Sequence, residues 1–348
     1  MGKAILIYNW RVTENETFPK YLADHGIEYR ILDNPDDGTH RYSKWYKIVN
    51  FLECILLSIR AVCMAGRNDV IVSMCATPGI IASMCNPLHR RILVLNLLCH
   101  SSEHPGIAER LRNTLYSHAL NKPWVWATAN TQKDIVHYTR MFDLRYQDHL
   151  LWLPDGLDLN LQLKDDDRTD DVEPQYDVFA CGASARDWRL LSEVAANMPN
   201  HSFHVIATES EWKQEYNKPN ITVEFQVPHD RYLSALRHAN VVALPLKSEV
   251  TAGLLVMFDA IKYGKCVVIT HTATTEQFVP ERLREMLLVG MRDSVSFTQK
   301  IATIIDMSEV QRTQIVQQEK SYFEDNYSDK KRNEKIVGIL RVLNNGQY

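Results

Sequence analysis

Residues 240–270 read NVVALPLKSEVTAGLLVMFDAIKYGKCVVIT, and their order decides the fold class. Val241 to Leu244 is a short, β-branched apolar run closed by Pro245, the composition of a buried parallel strand. A polar loop with Ser248, Thr251 and Gly253 follows. Leu254 to Tyr263 is apolar-rich and of helical length, Gly264 stands where a helix C-cap belongs, and Cys266 to Thr270 reads as the next strand. The unit is a βαβ crossover whose loop falls at the carboxyl edge of a sheet, where open α/β sheets bind ligands. A helix beginning after Thr251, Ala252 and Gly253 directs backbone N–H groups and a positive dipole end into that crevice, which suits an anion such as a diphosphate. The same pattern also suits a Rossmann-like unit that only packs its own core.

Outward from this stretch the alternation continues. Before it, Tyr176 to Cys181, Phe203 to Ala207 and Ile221 to Phe225 read as strands, with a short helix from Tyr232 to His238; after it, Met286 to Val289 reads as a last strand and a helix begins at Asp293. The first half repeats the theme, with strands at 4–8, 27–32, 69–73, 91–97, 124–128 and 150–153 and helices at 18–25, 48–65, 76–84, 115–120 and 131–141. No GxGxxG follows the first strand, where Asn9-Trp10-Arg11 stands instead, so the NAD-type fingerprint is absent. From Lys164 to Glu173 the run KDDDRTDDVE is acidic and apolar-poor, the mark of a solvated linker. The expected plan is α/β: a first Rossmann-like domain at 1–155, an acidic linker at 156–174, a second Rossmann-like domain at 175–325, and a C-terminal helical segment at 326–348.

A chain of 348 residues accommodates two such domains. With 45% hydrophobic and 24% charged residues and a net charge of −4, it is neither disordered nor basic enough for bulk nucleic-acid binding. Its seven cysteines are odd in number and lack CxxC spacing, so they read as small buried hydrophobes in a reducing cytoplasm. MGKAILIYNW has no signal-peptide core and reads as the first strand. Glu53 and Arg60 interrupt the apolar run Ile48 to Ala65, which argues against a spanning helix. Two readings of that run remain: an amphipathic helix covering the sheet, or, with Lys44, Trp45, Tyr46 and Lys47 ahead of it, a peripheral contact with an anionic membrane face.

Several segments together resemble the retaining GT-B glycosyltransferases and are similar to glycosyltransferase family 4. The family's Glu, seven residues, Glu-Ala pattern has Thr251 at its first acidic position, Glu249 two residues earlier, and Asp259-Ala260 at its second. Gly264-Lys265-Cys266-Val267-Val268 matches the family ending with Cys for Pro. Pro154-Asp155-Gly156-Leu157-Asp158 resembles the domain-junction segment, SARDWRLL the Arg-Asp version of the diphosphate loop, and Gln226-Val227-Pro228-His229 the nucleobase loop.

The resemblance implies two Rossmann-like domains facing a central cleft, a C-terminal helix at Asp329 to Leu343 that returns to the first of them, and transfer of a sugar from a nucleotide-diphosphate donor to a hydroxyl acceptor with retained configuration. Arg186 would bind the leaving diphosphate bidentately, with Arg189 or Lys247 as a second cation. Thr251, Ala252, Gly253 and Leu254 would supply the loop amides, Glu249 would stand in near the donor sugar, Asp259 would hold the ribose, and the Val227 backbone would meet the base. His100, after the fourth strand in NLLCHSSEHPG, would face donor sugar or acceptor; with His104 it is weak as a metal pair. No metal or other cofactor would be obligatory. The acceptor, a glycan or lipid-linked saccharide at the cytoplasmic face of a membrane, rests on family analogy. A sugar-nucleotide epimerase and a non-catalytic GT-B nucleotide-sugar-binding or scaffold protein are the competing readings.

Overall fold

The structure is a computed structural model that describes residues 2–14, 16–35, 44–99, 106–156, 176–183, 185–249 and 253–345. The chain divides into two compact units, Met1–Gly156 with Asp329–Tyr348, and Leu157–Ser328. The acidic run Lys164 to Glu173 lies outside the described residues.

In the first unit, β1 (Ala4–Ile7), β2 (Tyr29–Leu32), β3 (Val70–Ser73), β4 (Arg91–Val94), β5 (Val125–Ala129) and β6 (Leu150–Trp152) form one parallel sheet in the order β2-β1-β3-β4-β5-β6. The connecting helices are α1 (Thr17–Asp24), α2 (Lys44–Met64), α3 (Ala76–Met84), α4 (Ile107–Leu120) and α5 (Gln132–Met141). Because a strand's side chains alternate and both faces are covered, each strand feeds two cores. Ile5, Ile7, Ile71, Ile92 and Val94 pack with α2, α3, α4 and α5, whereas Leu6, Val70, Val72 and Leu93 pack with Phe18 and Leu22 of α1.

Two sequence expectations are corrected here. The fourth helix begins at Ile107 rather than Leu115: its first turns set the exposed Ile107 and Leu111 singly among polar residues, so no apolar cluster marks its start. The helix expected at 48–65 begins at Lys44, and it is not amphipathic: its water-facing side is as apolar as the side it buries.

In the second unit, β7 (Tyr176–Cys181), α6 (Trp188–Asn197), β8 (Phe203–Ala207), β9 (Ile221–Phe225), α7 (His229–Arg237), β10 (Ala239–Leu244), α8 (Leu254–Lys262) and β11 (Cys266–Thr270) follow in turn. Then come α9 (Ala273–Phe278), α10 (Glu281–Leu287), β12 (Leu288–Val289), α11 (Ser294–Asp306) and α12 (Glu309–Tyr327). The sheet is parallel, in the order β12-β11-β10-β7-β8-β9. The last strand is shorter than Met286 to Val289: α10 runs through Leu287, and Leu288 and Val289 alone pair with Ile269 and Thr270. Gly264 takes φ +75°, and the Gly264 and Lys265 amides bond back to Ile261 and Ala260, the paired bonds of a Schellman stop.

The last helix, α13 (Asp329–Asn345), belongs to the first unit, where Ile336, Val337, Leu340 and Leu343 complete the α1 side of the core. Thr17 donates to Asp329 at 2.5 Å. A Cβ on Gly156 would lie 2.8 Å from the Asp329 Cα, so only glycine lets these two backbones pass side by side. Cysteine burial is mixed: Cys54, Cys99 and Cys266 are buried, while Cys63 and Cys85 are exposed.

Glu319 of α12 is wholly buried, and neither carboxylate oxygen has a hydrogen-bond partner among the described residues. Burial pushes its carboxyl from the usual 4.5 to about 8. A folded-state pKa raised in this way means stability is full below pH 4.5 and is lost as pH rises towards 8. Urea unfolding of Glu319→Gln against wild type across that window will show the wild type losing up to about 1.4 kcal/mol per pH unit relative to the variant.

Candidate functional site

The second sheet reverses its winding between β7 and β10: from β7 the chain moves outward to β8 and β9, then crosses back to β10 and continues to β11 and β12. Neighbouring strands whose connections leave in opposite directions open a crevice at their carboxyl ends. The described parts of two loops line it, residues 182–183 and 185–187 after β7 and residues 245–249 with Gly253 after β10. Among the described residues they are tied by backbone contacts: Arg186 bridges Leu246 in antiparallel fashion, the Asp187 amide donates to the Pro245 carbonyl at 2.9 Å, and the Lys247 amide donates to the Ala185 carbonyl at 3.0 Å. The Leu246 amide in turn donates to Thr270 Oγ1 at 2.8 Å, fastening the second loop to β11.

Arg186 sits at the centre of this tie and is 5% exposed. Its Nε donates to the Cys181 carbonyl at 2.7 Å. The guanidinium lies against Gly182, where a Cβ would fall 2.5 Å from Cζ and Nε, and near Gly253, where a Cβ would fall 3.6 Å from Nη1. Both glycines carry positive φ, +151° and +86°. Burial lowers the Arg186 pKa below the usual arginine value, while Cys181 and Tyr232 act the other way. A guanidinium remains charged under such a shift, so the crevice holds a positive charge with little water around it.

Gly253 is the N-cap of α8 and offers no side-chain cap, so no side chain of the cap closes off the helix's leading amides. Leu254 buries its side chain in the core and can present only its backbone outward. One and a half turns on, Asp259 Oδ2 accepts from the Tyr232 hydroxyl at 2.8 Å. Burial raises the Asp259 pKa, and the Tyr232 bond, His229 and Lys262 counter it. Tyr232 comes from α7 and lies within electrostatic reach of both Arg186 and Cys181, so one tyrosine joins the arginine side of the crevice to the aspartate side.

The other site residues named from sequence are dispersed. Asp187 N-caps α6 through the Leu190 amide, which turns Arg189 to the solvent side, where its Nε is 3.2 Å from Glu193. Lys247 reaches Glu211 at 2.8 Å. Neither therefore stands as a second cation committed to Arg186's crevice. Glu249 is exposed and accepts from the Ala273 amide at 3.5 Å, at the head of α9. Val227 is half-buried beyond the edge strand β9, next to Gln226 at φ +51°. His100, Thr251 and Ala252 lie outside the described residues.

Sequence reasoning missed Tyr232 and Gly182 as site residues. Tyr232 left no local signal, because its partner is 27 positions away. Gly182 was visible at the strand's end, but its use as the seat of Arg186 depends on how the loop folds back.

No family model matches the sequence, and no curated protein matches it in sequence. Solved structures do resemble it. Sucrose-phosphate synthase from Thermosynechococcus elongatus is 14% identical over 98% of this chain and 99% of that chain, with a TM-score of 0.71. A glycosyltransferase from Rickettsia africae is 10% identical over 98% of both chains, at 0.67. A UDP-forming α,α-trehalose-phosphate synthase from Burkholderia xenovorans is 10% identical over 99% of both chains, also at 0.67. These are GT-B proteins, and the chain has the GT-B fold, built from two parallel-sheet Rossmann-like domains.

The seat of Arg186 makes a local prediction. Gly182→Ala places a methyl group inside the guanidinium and strains a positive φ, whereas Gly264→Ala meets open space at φ +75°. Urea unfolding should show Gly264→Ala costing about 1 kcal/mol and Gly182→Ala about 1–3 kcal/mol more.

Proposed function

We propose that this protein transfers a sugar from a nucleotide-diphosphate donor to a hydroxyl of a glycan or lipid-linked saccharide, with retention of configuration. The observation that carries this reading is the buried Arg186 guanidinium at the β7/β10 reversal, beside the start of α8, whose N-cap Gly253 has no side chain to cap it. Two anion-binding elements converge on one crevice at the place where α/β sheets hold phosphates. The folds it resembles support the same reading, since they include a glycosyltransferase and two sugar-phosphate synthases, one of them UDP-forming.

On this reading Arg186 and the leading amides of α8 stabilise the diphosphate as it departs, which lowers the barrier where negative charge develops. Their donor geometry is set before the substrate arrives, so little reorganisation is needed. Asp259, oriented by Tyr232, accepts from the ribose hydroxyls, and the backbone at Val227 meets the base. Arg189 or Lys247 contributes a second charge only by leaving Glu193 or Glu211. Glu249 is assigned to the sugar side of the donor, His100 to the donor sugar or the acceptor, and Thr251 to the loop amides. The diphosphate's charge is answered by a guanidinium and a helix terminus, so no step is routed through a metal ion. The reaction belongs to the hexosyl transferases, working at the cytoplasmic side.

A second reading, a nucleotide-sugar-binding protein without transfer, is favoured by Thr251 at a position where the family it resembles carries an acid. Turnover separates the two. Thermal shift against uridine, guanosine, adenosine and thymidine diphosphates should show one base raising the melting temperature of wild type, with uridine the first to test. Arg186→Ala should weaken that ligand by roughly 30–150-fold, the loss of about 2–3 kcal/mol from a charged hydrogen-bond donor, and Arg186→Lys by less. Release of nucleoside diphosphate from its sugar only when acceptor is added supports transfer. Binding without release supports the second reading, and no shift with any of the four refutes both.

A further inference from the structure

The outward side of α2 is the most unusual surface on the molecule. At about 100° per residue, Cys54, Leu57, Ser58, Ala61 and Val62 fall on one arc, and all five are buried against the first sheet and α3. Trp45, Ile48, Leu52, Leu56 and Ile59 fall on the opposite arc, each between 42% and 76% exposed. A helix lying on a globular domain ordinarily turns charge to the water, and one that is apolar all round is ordinarily covered. Arg60 is the exposed charge at the edge of this arc, and Glu53 is half-buried. On the same face of the sheet, α4 adds a second stripe of Ile107, Leu111 and Leu115, all exposed.

We propose that this face seats the protein on an anionic lipid bilayer, with α2 and α4 lying in the plane of the interface. Charge complementarity favours this occupant. The chain as a whole is acidic, at −4, yet the sequences of α2 and α4 hold Lys44, Lys47, Arg60, Arg110 and Arg112 against Glu53 and Glu109, and of the described side chains among these Arg60 and Arg110 are exposed. A tryptophan at the start of such a helix is the residue that settles at the depth of lipid headgroups. Area weighs against a second copy of the chain. Helices about 32 and 21 Å long and about 10 Å wide offer roughly 500 Å², below the ~800 Å² per partner that a stable protein interface buries. Among the described residues no helix is long and apolar enough to cross a membrane, so the contact is one of lying on the surface. The inference does not depend on the donor site.

Co-sedimentation of the full chain with phosphatidylcholine vesicles, with and without about one-third phosphatidylglycerol, tests it. Wild type should pellet with the anionic vesicles and release as salt is raised to about 0.5 M. Leu52→Glu with Leu56→Glu should reduce the bound fraction at least about tenfold, while Val295→Glu, an equally exposed position on α11, should leave it unchanged. Because the two leucines face water, the double variant should keep the wild-type melting temperature and any shift given by a nucleoside diphosphate. That distinguishes failure here from failure of the donor reading. Absence of pelleting with either vesicle, or equal pelleting of the double variant, overturns the proposal. A concentration-dependent dimer lost in the double variant assigns the face to a second copy and overturns it as well.

Discussion

Arg186 places a guanidinium 5% exposed at the carboxyl edge of the second sheet, and the local backbone is arranged around the cost of keeping it there. A buried charge is tolerated only with hydrogen-bond partners and close, polar surroundings. The Cys181 carbonyl supplies one partner, at the end of β7 itself. Gly182 leaves room for the planar group, and Gly253 leaves room on the side of α8. The Arg186–Leu246 bridge and the two flanking amide bonds hold both loops in register so that the seat persists. Were the loops free, the guanidinium could swing out to water and the crevice would lose its charge.

That arrangement depends in turn on sheet order. Parallel strands have both faces covered, so ligands reach them from an end rather than a face. In the second unit the reversal falls between β7 and β10, and the loops that carry Arg186 and Gly253 are the two that leave those strands. Each feature reinforces the next: strand order opens the crevice, loop pairing closes its floor, and the helix start and the arginine share its charge. Tyr232 and Asp259 extend the same polar lining away from the arginine.

Polar and apolar surfaces are divided unusually between the units. The second unit keeps ionisable groups, buried Arg186, half-buried Asp259 and buried Glu319, inside or beside an otherwise apolar core. The first unit does the reverse on α2, turning large apolar side chains to the outside. Both are costly for an isolated soluble domain. The first two groups line the crevice and the apolar face fits a bilayer, but Glu319 lies among core side chains of α12, and nothing in the structure explains its retention.

How far the sequence goes is clearest at particular residues. Strand runs such as Val241 to Leu244 and Cys266 to Thr270, the Gly264 stop and the βαβ alternation follow from local rules of burial, φ and periodicity, so the α/β class and the carboxyl-edge loop were legible without coordinates. Arg186 was legible as a candidate through the resemblance of SARDWRLL to a diphosphate loop, in which a guanidinium can bind phosphate oxygens bidentately. What tertiary structure decided is which groups meet. Tyr232 reaches Asp259 across 27 residues, Gly182 becomes a seat only when its loop folds back, and Arg189 and Lys247 turn to Glu193 and Glu211. The composition of α2 showed an apolar helix; whether its outer side is covered depends on what packs there, and in this chain nothing described does. Local sequence sets backbone conformation and the apolar pattern, because those depend on near neighbours. Side-chain partnership and exposure depend on segments that become neighbours only when the sheet orders its strands.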